Sequence, residues 1–476
     1  MPRLHPDNLG AAHADVILPP YDRAAVKPGI VHLGLGAFHR AHQAQYTDEA
    51  IGVAGGDWGI VGVSLRSASV WEQLSPQSGL YSVLSEDADT CEVRVIGAVQ
   101  EVLVAPREPA AVSSAIAQQD IRIVTLTITE KGYALAADGV SLDRRDEVVA
   151  RDLEQPDRAA SALGILALGL RERMLSGGAP LTVVSCDNLF ENSKRLRAVL
   201  VEYLESTFPE VLPWLEEHVR FPCSMVDRIV PAATSAQRAR QSKLLGLKDE
   251  GAVSTEPFRQ WIVEDDFAAG RPAWDRVGVQ LVTDIVPFEN IKLRLLNAGH
   301  SAIAYCGLLA GCSTVDEVMA DTELRGFMQR LMARDLMPAL SVPPGFDLPA
   351  YRDQLLSRFA NPRLGHRCGQ IAMDGSEKIS QRWLPTLAQA EAPQLRKALA
   401  AWVYFVLCTD FEIDDPRAGV LLEQRASDAQ MHEKIERVLA CARIDRTGVG
   451  LFDELVRDVE HHVQVIREKS IRTLVS

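Results

Sequence analysis

Four short apolar runs punctuate the first 190 residues: Ile30-Val31-His32-Leu33, Gly59 to Leu65, Ile121 to Thr129, and Leu181 to Ser185. Each is rich in β-branched residues, and helix-length stretches of chain separate them. That rhythm predicts βαβ units and a parallel sheet. Residues 80–107 alternate more like a strand pair, which interrupts the simple winding. The last strand candidate is Val279 to Ile285. Pro287 then precedes Phe288-Glu289-Asn290-Ile291-Lys292, which predicts the start of a long helix. Beyond it, Leu- and Ala-rich patterns predict helices over 288–311, 315–335, 348–360, 379–407 and 428–441. The chain is therefore expected to be α/β, with one domain at 1–287 carrying the sheet and a mainly α-helical domain at 288–476. Residues 1–28 read as a Pro-containing lead-in.

Gly34-Leu35-Gly36 directly follows the first predicted strand and opens a predicted helix. A pyrophosphate approaches backbone N–H groups closely only where no Cβ intervenes, and a helix N-terminus adds partial positive charge. A tight turn without a ligand has the same local pattern, and His39 stands where a third glycine is usual. The second run ends in Leu65-Arg66-Ser67, without the Asp or Glu that commonly holds the ribose hydroxyls of NAD. Arg66 suits a 2′-phosphate, as in NADP, or an ordinary solvated surface position.

At 476 residues the chain exceeds what one core usually supports, which fits two or three domains. With 47% apolar and 24% charged residues, the composition is that of a soluble globular protein. A formal net charge of -14 argues against a nucleic-acid partner. No run of about 18 apolar residues occurs, so no membrane span is expected, and the opening residues lack the apolar core of a signal peptide. The eight cysteines form no C-x-x-C pair and are expected to be reduced, mostly buried thiols in a cytoplasmic protein.

The densest polar chemistry is Lys292-Leu293-Arg294-Leu295-Leu296-Asn297-Ala298-Gly299-His300. On an ideal α-helical wheel Lys292, His300 and Asn297 fall at about 0°, 80° and 140°, on one broad side. Hydride transfer from a secondary alcohol needs a base for the hydroxyl proton and donors for the developing alkoxide. A buried lysine serves as the base, and an Asn amide and a His ring as donors. Most helix lysines are simply solvated and many lone histidines are core-edge residues. Asn297 and Gly299 are, however, costly inside a helix. No tyrosine has a lysine four residues later, and no Cys/His cluster has zinc-ligand spacing. His39, His42, His461 and His462 are expected to be surface or core residues, so no metal is expected.

Ile30 to His42 (IVHLGLGAFHRAH) resembles the opening motif of the long-chain polyol dehydrogenases, the mannitol dehydrogenase and fructuronate reductase (mannonate oxidoreductase) family. Thr129-Glu130-Lys131-Gly132-Tyr133, Ser185-Cys186-Asp187-Asn188, Met225 to Pro231, Glu256-Pro257-Phe258 and Lys292-x-x-x-Leu296-Asn297-x-x-His300 follow in family order. The resemblance implies a Rossmann-type N-terminal domain and a helical, substrate-binding C-terminal domain. It makes Lys292 the general acid/base, Asn188 and Asn297 the oxyanion site, and His300 a ligand of a substrate hydroxyl. Asp227 would lie near the lysine, and Glu130 would relay the proton. Gly34, Gly36, Ala37, Phe38, His39 and Arg66 would contact the cofactor, NAD with NADP still open. Lys378 would contact substrate.

Glu130 to Tyr133 and Ala372 to Lys378 look more like the fructuronate reductase branch than the mannitol branch, and Gln370 replaces an arginine usual in the latter. A sugar-acid carboxylate calls for arginine, for which Arg294, Arg367 and Arg382 are candidates. Cys368-Gly369 and Ile379-Ser380 depart from the bulkier residues or proline usual there. The expected reaction interconverts D-mannonate and D-fructuronate. The alternatives are a mannitol or arabinitol 2-dehydrogenase, and a catalytically silent nucleotide-binding protein. The expected partners are small molecules only, in a monomer or weak homo-oligomer.

Overall fold

The computed structural model describes residues 1–476, which divide into two compact units, Met1–Val286 and Pro287–Ser476. The first contains twelve strands: β1 (Pro28–Leu33), β2 (Gly59–Ser64), β3 (Tyr81–Glu86), β4 (Cys91–Ile96), β5 (Val99–Val104), β6 (Ile123–Leu126), β7 (Leu181–Ser185), β8 (Val219–Arg220), β9 (Ser224–Asp227), β10 (Val253–Thr255), β11 (Gln260–Glu264) and β12 (Gln280–Val282). Six of them form one sheet in the order β5-β2-β1-β6-β7-β8, and every neighbouring pair is parallel. Counted along the chain within this sheet, the order is third, second, first, fourth, fifth, sixth, which is the doubly wound dinucleotide-binding arrangement. The winding reverses between β1 and β6, the point at which sheets of this order carry a crevice at the carboxyl ends of their strands. The apolar runs explain the sheet: β2, β6 and β7 are buried along their whole length, as parallel strands covered on both faces must be.

Residues 80–107 yield three strands rather than two. β3 and β4 pair antiparallel in a separate sheet with β10, while β5 returns to the edge of the main sheet beside β2. A third small sheet joins β12, β11 and β9. The last strand is shorter than the apolar pattern suggests. It stops at Val282 because Asp284 caps the helix that follows, accepting the Val286 amide at 3.0 Å.

The second unit is helical, around one core that gathers Trp383, Trp402, Phe327 and Tyr305. Three of its helices matter most: α1 (Val286–Ile291), α2 (Ala298–Ala310) and α3 (Gly375–Arg382). Between α1 and α2 the helix widens into a π-helical turn, Lys292–Asn297, and a second such turn spans Met332–Leu336. The two turns pack against each other, with Gly299 lying against Met332. The helix expected at 379–407 is three helices, Gly375–Arg382, Leu384–Gln389 and Pro393–Cys408. Pro385 and Pro393 each begin a new helix, and Ala392 takes a left-handed conformation between them. Helices at Ala418–Ala426, Phe452–Glu468 and Ile471–Val475 complete the unit, and the sequence reading assigned none of these. No helix is long and apolar enough to cross a membrane.

Candidate active site

In the first unit, four of the expected elements meet at the carboxyl edge of the main sheet. Gly34 and Gly36 follow β1, Arg66 follows β2, Glu130 follows β6 and Asn188 follows β7. The glycine turn is tightly built. Gly34 has φ +98°, and a Cβ on it would collide with the Thr127 carbonyl oxygen. Its own carbonyl accepts the Gly36 amide at 2.6 Å and the Thr127 hydroxyl at 2.8 Å. Gly36 is exposed, and a Cβ there would meet nothing closer than 3.7 Å, so the space above it is open. Ala37 and Phe38 begin the helix after it and are half-buried.

His39 does not face that space freely. It is buried and stacks on His32 of β1, with ring centroids 3.3 Å apart, and neither of its ring nitrogens has a hydrogen-bond partner. Burial holds His39 well below the ordinary histidine range and pushes His32 down to about 3, so both rings are neutral at pH 7. His32 is anchored through Nδ1 to Thr125 Oγ1 at 2.8 Å and through Nε2 to Thr127 Oγ1 at 2.9 Å. His42 is likewise buried and neutral, its Nε2 2.9 Å from the Gln260 carbonyl.

Asp187 organises the opposite side of the crevice, a role that the sequence reading did not assign to it. Its carboxylate accepts the amides of Ile128 and Thr129, both at 2.9 Å, and the Tyr133 hydroxyl at 2.6 Å. Burial raises its pKa, and these three hydrogen bonds oppose the rise. Thr129 is held at φ +65°, a strained conformation for a β-branched residue. Asp187 therefore latches the turn that presents Glu130, while Asn188 is the next residue along. Only the three-dimensional pairing of β6 with β7 shows this, because residues 128 and 187 are far apart in sequence. Asp187→Asn sets an amide donor against backbone donors and leaves one of them unpaired. It is expected to destabilise the turn by about 1–3 kcal/mol. Amide exchange at Ile128 and Thr129 should quicken about 5- to 150-fold by this measure, and unchanged protection there would rule out the latch. Asp227 ends β9 in the third sheet and is 6% exposed.

In the second unit Lys292 is 8% exposed and His300 9% exposed. The π-helical turn revises the ideal wheel. Its i→i+5 spacing sets Lys292 and Asn297 about one turn apart on the same face, closer in angle than a regular helix allows. Arg382 of α3 secures the stretch, donating to the Asn297 carbonyl at 3.2 Å and to Ser301 Oγ at 2.8 Å. The Trp383 indole donates to the Ala298 carbonyl at 3.1 Å. Lys378 is half-buried, with Nζ donating to the Met373 carbonyl at 2.6 Å and lying 3.6 Å from the Asp374 carboxylate.

The other two arginines are employed elsewhere. Arg294 is 7% exposed and donates to Thr386 Oγ1 at 3.1 Å and Gln389 Oε1 at 2.9 Å, tying two helices together. Arg367 is exposed and lines an open cleft of about 480 Å³ with Gln370, Met373 and Phe411, a lining that includes neither Lys292 nor His300. No group of three or more His, Cys, Asp or Glu side chains is placed to hold a metal ion, and all eight cysteines are free thiols.

Comparison with known proteins agrees with this layout. Residues 28–276 match the mannitol dehydrogenase Rossmann domain and residues 284–467 the mannitol dehydrogenase C-terminal domain. The D-mannonate oxidoreductase of Escherichia coli is 43% identical over 373 residues, 78% of this chain and 77% of that one. The polyol:NADP oxidoreductase of Gluconobacter oxydans is 40% identical, over 98% of this chain and 99% of that one. The mannitol 2-dehydrogenase of Pseudomonas fluorescens, solved as a ternary complex with NAD and D-mannitol, superposes with a TM-score of 0.85 at 34% identity, covering 99% of this chain and 98% of that one. The chain belongs to the mannitol dehydrogenase family of long-chain polyol dehydrogenases.

Proposed function

We propose that the chain is an NAD(H)-dependent dehydrogenase interconverting a secondary alcohol and a ketone on a sugar acid, with D-mannonate and D-fructuronate the first pair to test. In this reading residues 1–287 hold the dinucleotide and residues 288–476 the sugar. The observation that carries it is Lys292, a buried amine one π-helical turn from an Asn amide. The glycine turn fits a dinucleotide: the strand order and the open space above Gly36 suit a pyrophosphate. Ala37 and Phe38 extend that surface.

When bound, the nicotinamide ring supplies the hydride chemistry. Lys292 Nζ takes the hydroxyl proton on oxidation and returns it on reduction. A buried amine suits general acid–base work on a hydroxyl. The amides of Asn188 and Asn297 donate to the developing alkoxide. His300, uncharged, orients a neighbouring hydroxyl. Glu130 passes the proton to solvent. Asp227 is the second carboxylate of the set, and Lys378 contacts the sugar. No step runs through a metal. The Escherichia coli relative, named for D-mannonate, supports the sugar-acid substrate. The Pseudomonas relative, solved with D-mannitol, makes a neutral polyol the competing choice. A panel of sugar acids and polyols with both nicotinamide carriers decides between them. The highest kcat/KM is expected for a sugar acid. NADH binding with no turnover on any of them would leave only a nucleotide-binding protein.

One observation favours NADP(H) as a second carrier. β2 ends in Leu65-Arg66-Ser67, where Arg66 is exposed and the hydroxyls of Ser67 and Ser69 lie 3.1 Å apart. No carboxylate is present there to hold ribose hydroxyls, and the charge and donors suit a 2′-phosphate. Arg66→Ala is expected to weaken NADPH binding about tenfold and NADH binding far less, as read by nucleotide fluorescence. Equal effects on both would remove Arg66 from cofactor selection.

A further inference from the structure

Two imidazoles meet edge to face in the second unit. His300 lies on α2, and His366 precedes the short helix Cys368–Ala372. Their ring centroids are 5.2 Å apart, with planes at 83°. The Phe359 ring closes one side, 4.5 Å from His300. His300 Nε2 and His366 Nδ1 are both buried, and neither has a hydrogen-bond partner. An unpaired buried polar atom costs about 1–3 kcal/mol, so two side by side are not a neutral feature of a core.

The surroundings specify the kind of group that would pair with them. Burial holds both rings below the ordinary histidine range, so each is neutral and offers a donor as well as an acceptor. The guanidiniums of Arg358 and Arg382 stand near enough to His300 to disfavour its protonation further. Positive charge that opposes a proton favours an anion. A neutral polyol presents only hydroxyls here, whereas a sugar acid presents a carboxylate beside a hydroxyl.

We infer that His366 is a specificity-determining residue that receives the carboxylate end of an aldonate or uronate substrate, next to the hydroxyl that His300 orients. This rests on the sugar-acid reading given under the proposed function. The His366 backbone carbonyl accepts the Val315 amide at 2.9 Å, and that bond survives any change of its side chain. The test compares His366→Leu and His366→Asn with the unmodified enzyme, using D-mannonate and D-mannitol, with NADH fluorescence as the check on folding. His366→Leu is expected to raise KM for D-mannonate about tenfold or more with little change in kcat. KM for D-mannitol and NADH affinity should stay within about threefold, and His366→Asn, which restores a donor, should recover most of the loss. Equal losses on both substrates, or no loss on D-mannonate, overturn the assignment of His366 and leave the sugar-acid reading standing. An unmodified enzyme that oxidises D-mannitol and no sugar acid overturns the reading itself, and this assignment with it.

Discussion

Lys292→Ala is expected to lower kcat by about 10²- to 10⁴-fold while NADH affinity stays within about twofold, because a positioned proton acceptor contributes on that scale. Alanine is a strong helix former, so the loss should not come from unfolding. Lys292→Arg separates charge from proton transfer. The guanidinium keeps the positive charge and does not release a proton near neutral pH, so this variant is expected to be nearly as inactive as the alanine one. Small primary amines added to Lys292→Ala should restore part of the rate, more effectively as pH rises through the amine's pKa. Steady-state kinetics beside nucleotide titration reads all three. A Lys292→Arg enzyme with ordinary turnover would show that the position supplies charge alone, and the acid–base role would be gone.

Gly34→Ala is expected to be among the most damaging single-methyl changes in the first unit. The residue sits at φ +98°, where an L side chain is strained, and the added carbon would run into the Thr127 carbonyl oxygen. A backbone oxygen on the neighbouring strand cannot swing aside as a side chain does. Strain and overpacking together are expected to cost about 2–5 kcal/mol. That corresponds to a fall of roughly 5–15 °C in the melting temperature of this unit. The same displacement shifts the Gly36 amide, so NADH binding should weaken in parallel. A variant that melts like the parent and binds NADH normally would mean that the turn is far softer than its hydrogen bonds indicate.

Much of this fold was legible in the sequence, and the reasons differ from element to element. The four central strands of the main sheet, β1, β2, β6 and β7, announced themselves as β-branched runs because strands buried on both faces have no polar side to dilute the signal. The expected parallel sheet with a helical second half is what the chain forms. Other features escaped, three of them for distinct reasons. The β3–β4 hairpin and β5 share one alternating stretch, and nothing local shows that the third strand leaves for another sheet. The helix Phe452–Glu468 was readable from Leu455, Val456, Val459 and Val463 at helical spacing, yet remained unassigned. The π-helical turn at Lys292 leaves no mark that periodicity detects, since one extra residue per turn looks like noise. For the candidate site, motif residues such as Lys292 and Asn188 were visible as residue types. The roles of Asp187 and His366 were not, because they depend on partners brought close only by folding. Arg294 shows the converse: its charge suggested a ligand, and its neighbours Thr386 and Gln389 give it a packing task.

The two widened helical turns, Lys292–Asn297 and Met332–Leu336, lie against one another. Regularising either one alone would set an ideal cylinder against an irregular neighbour, opening a void or forcing an overlap at Gly299 and Met332. A redesign aimed at a sturdier helical unit would have to straighten both together. Relatives that lose one irregularity should be found to have lost its counterpart as well.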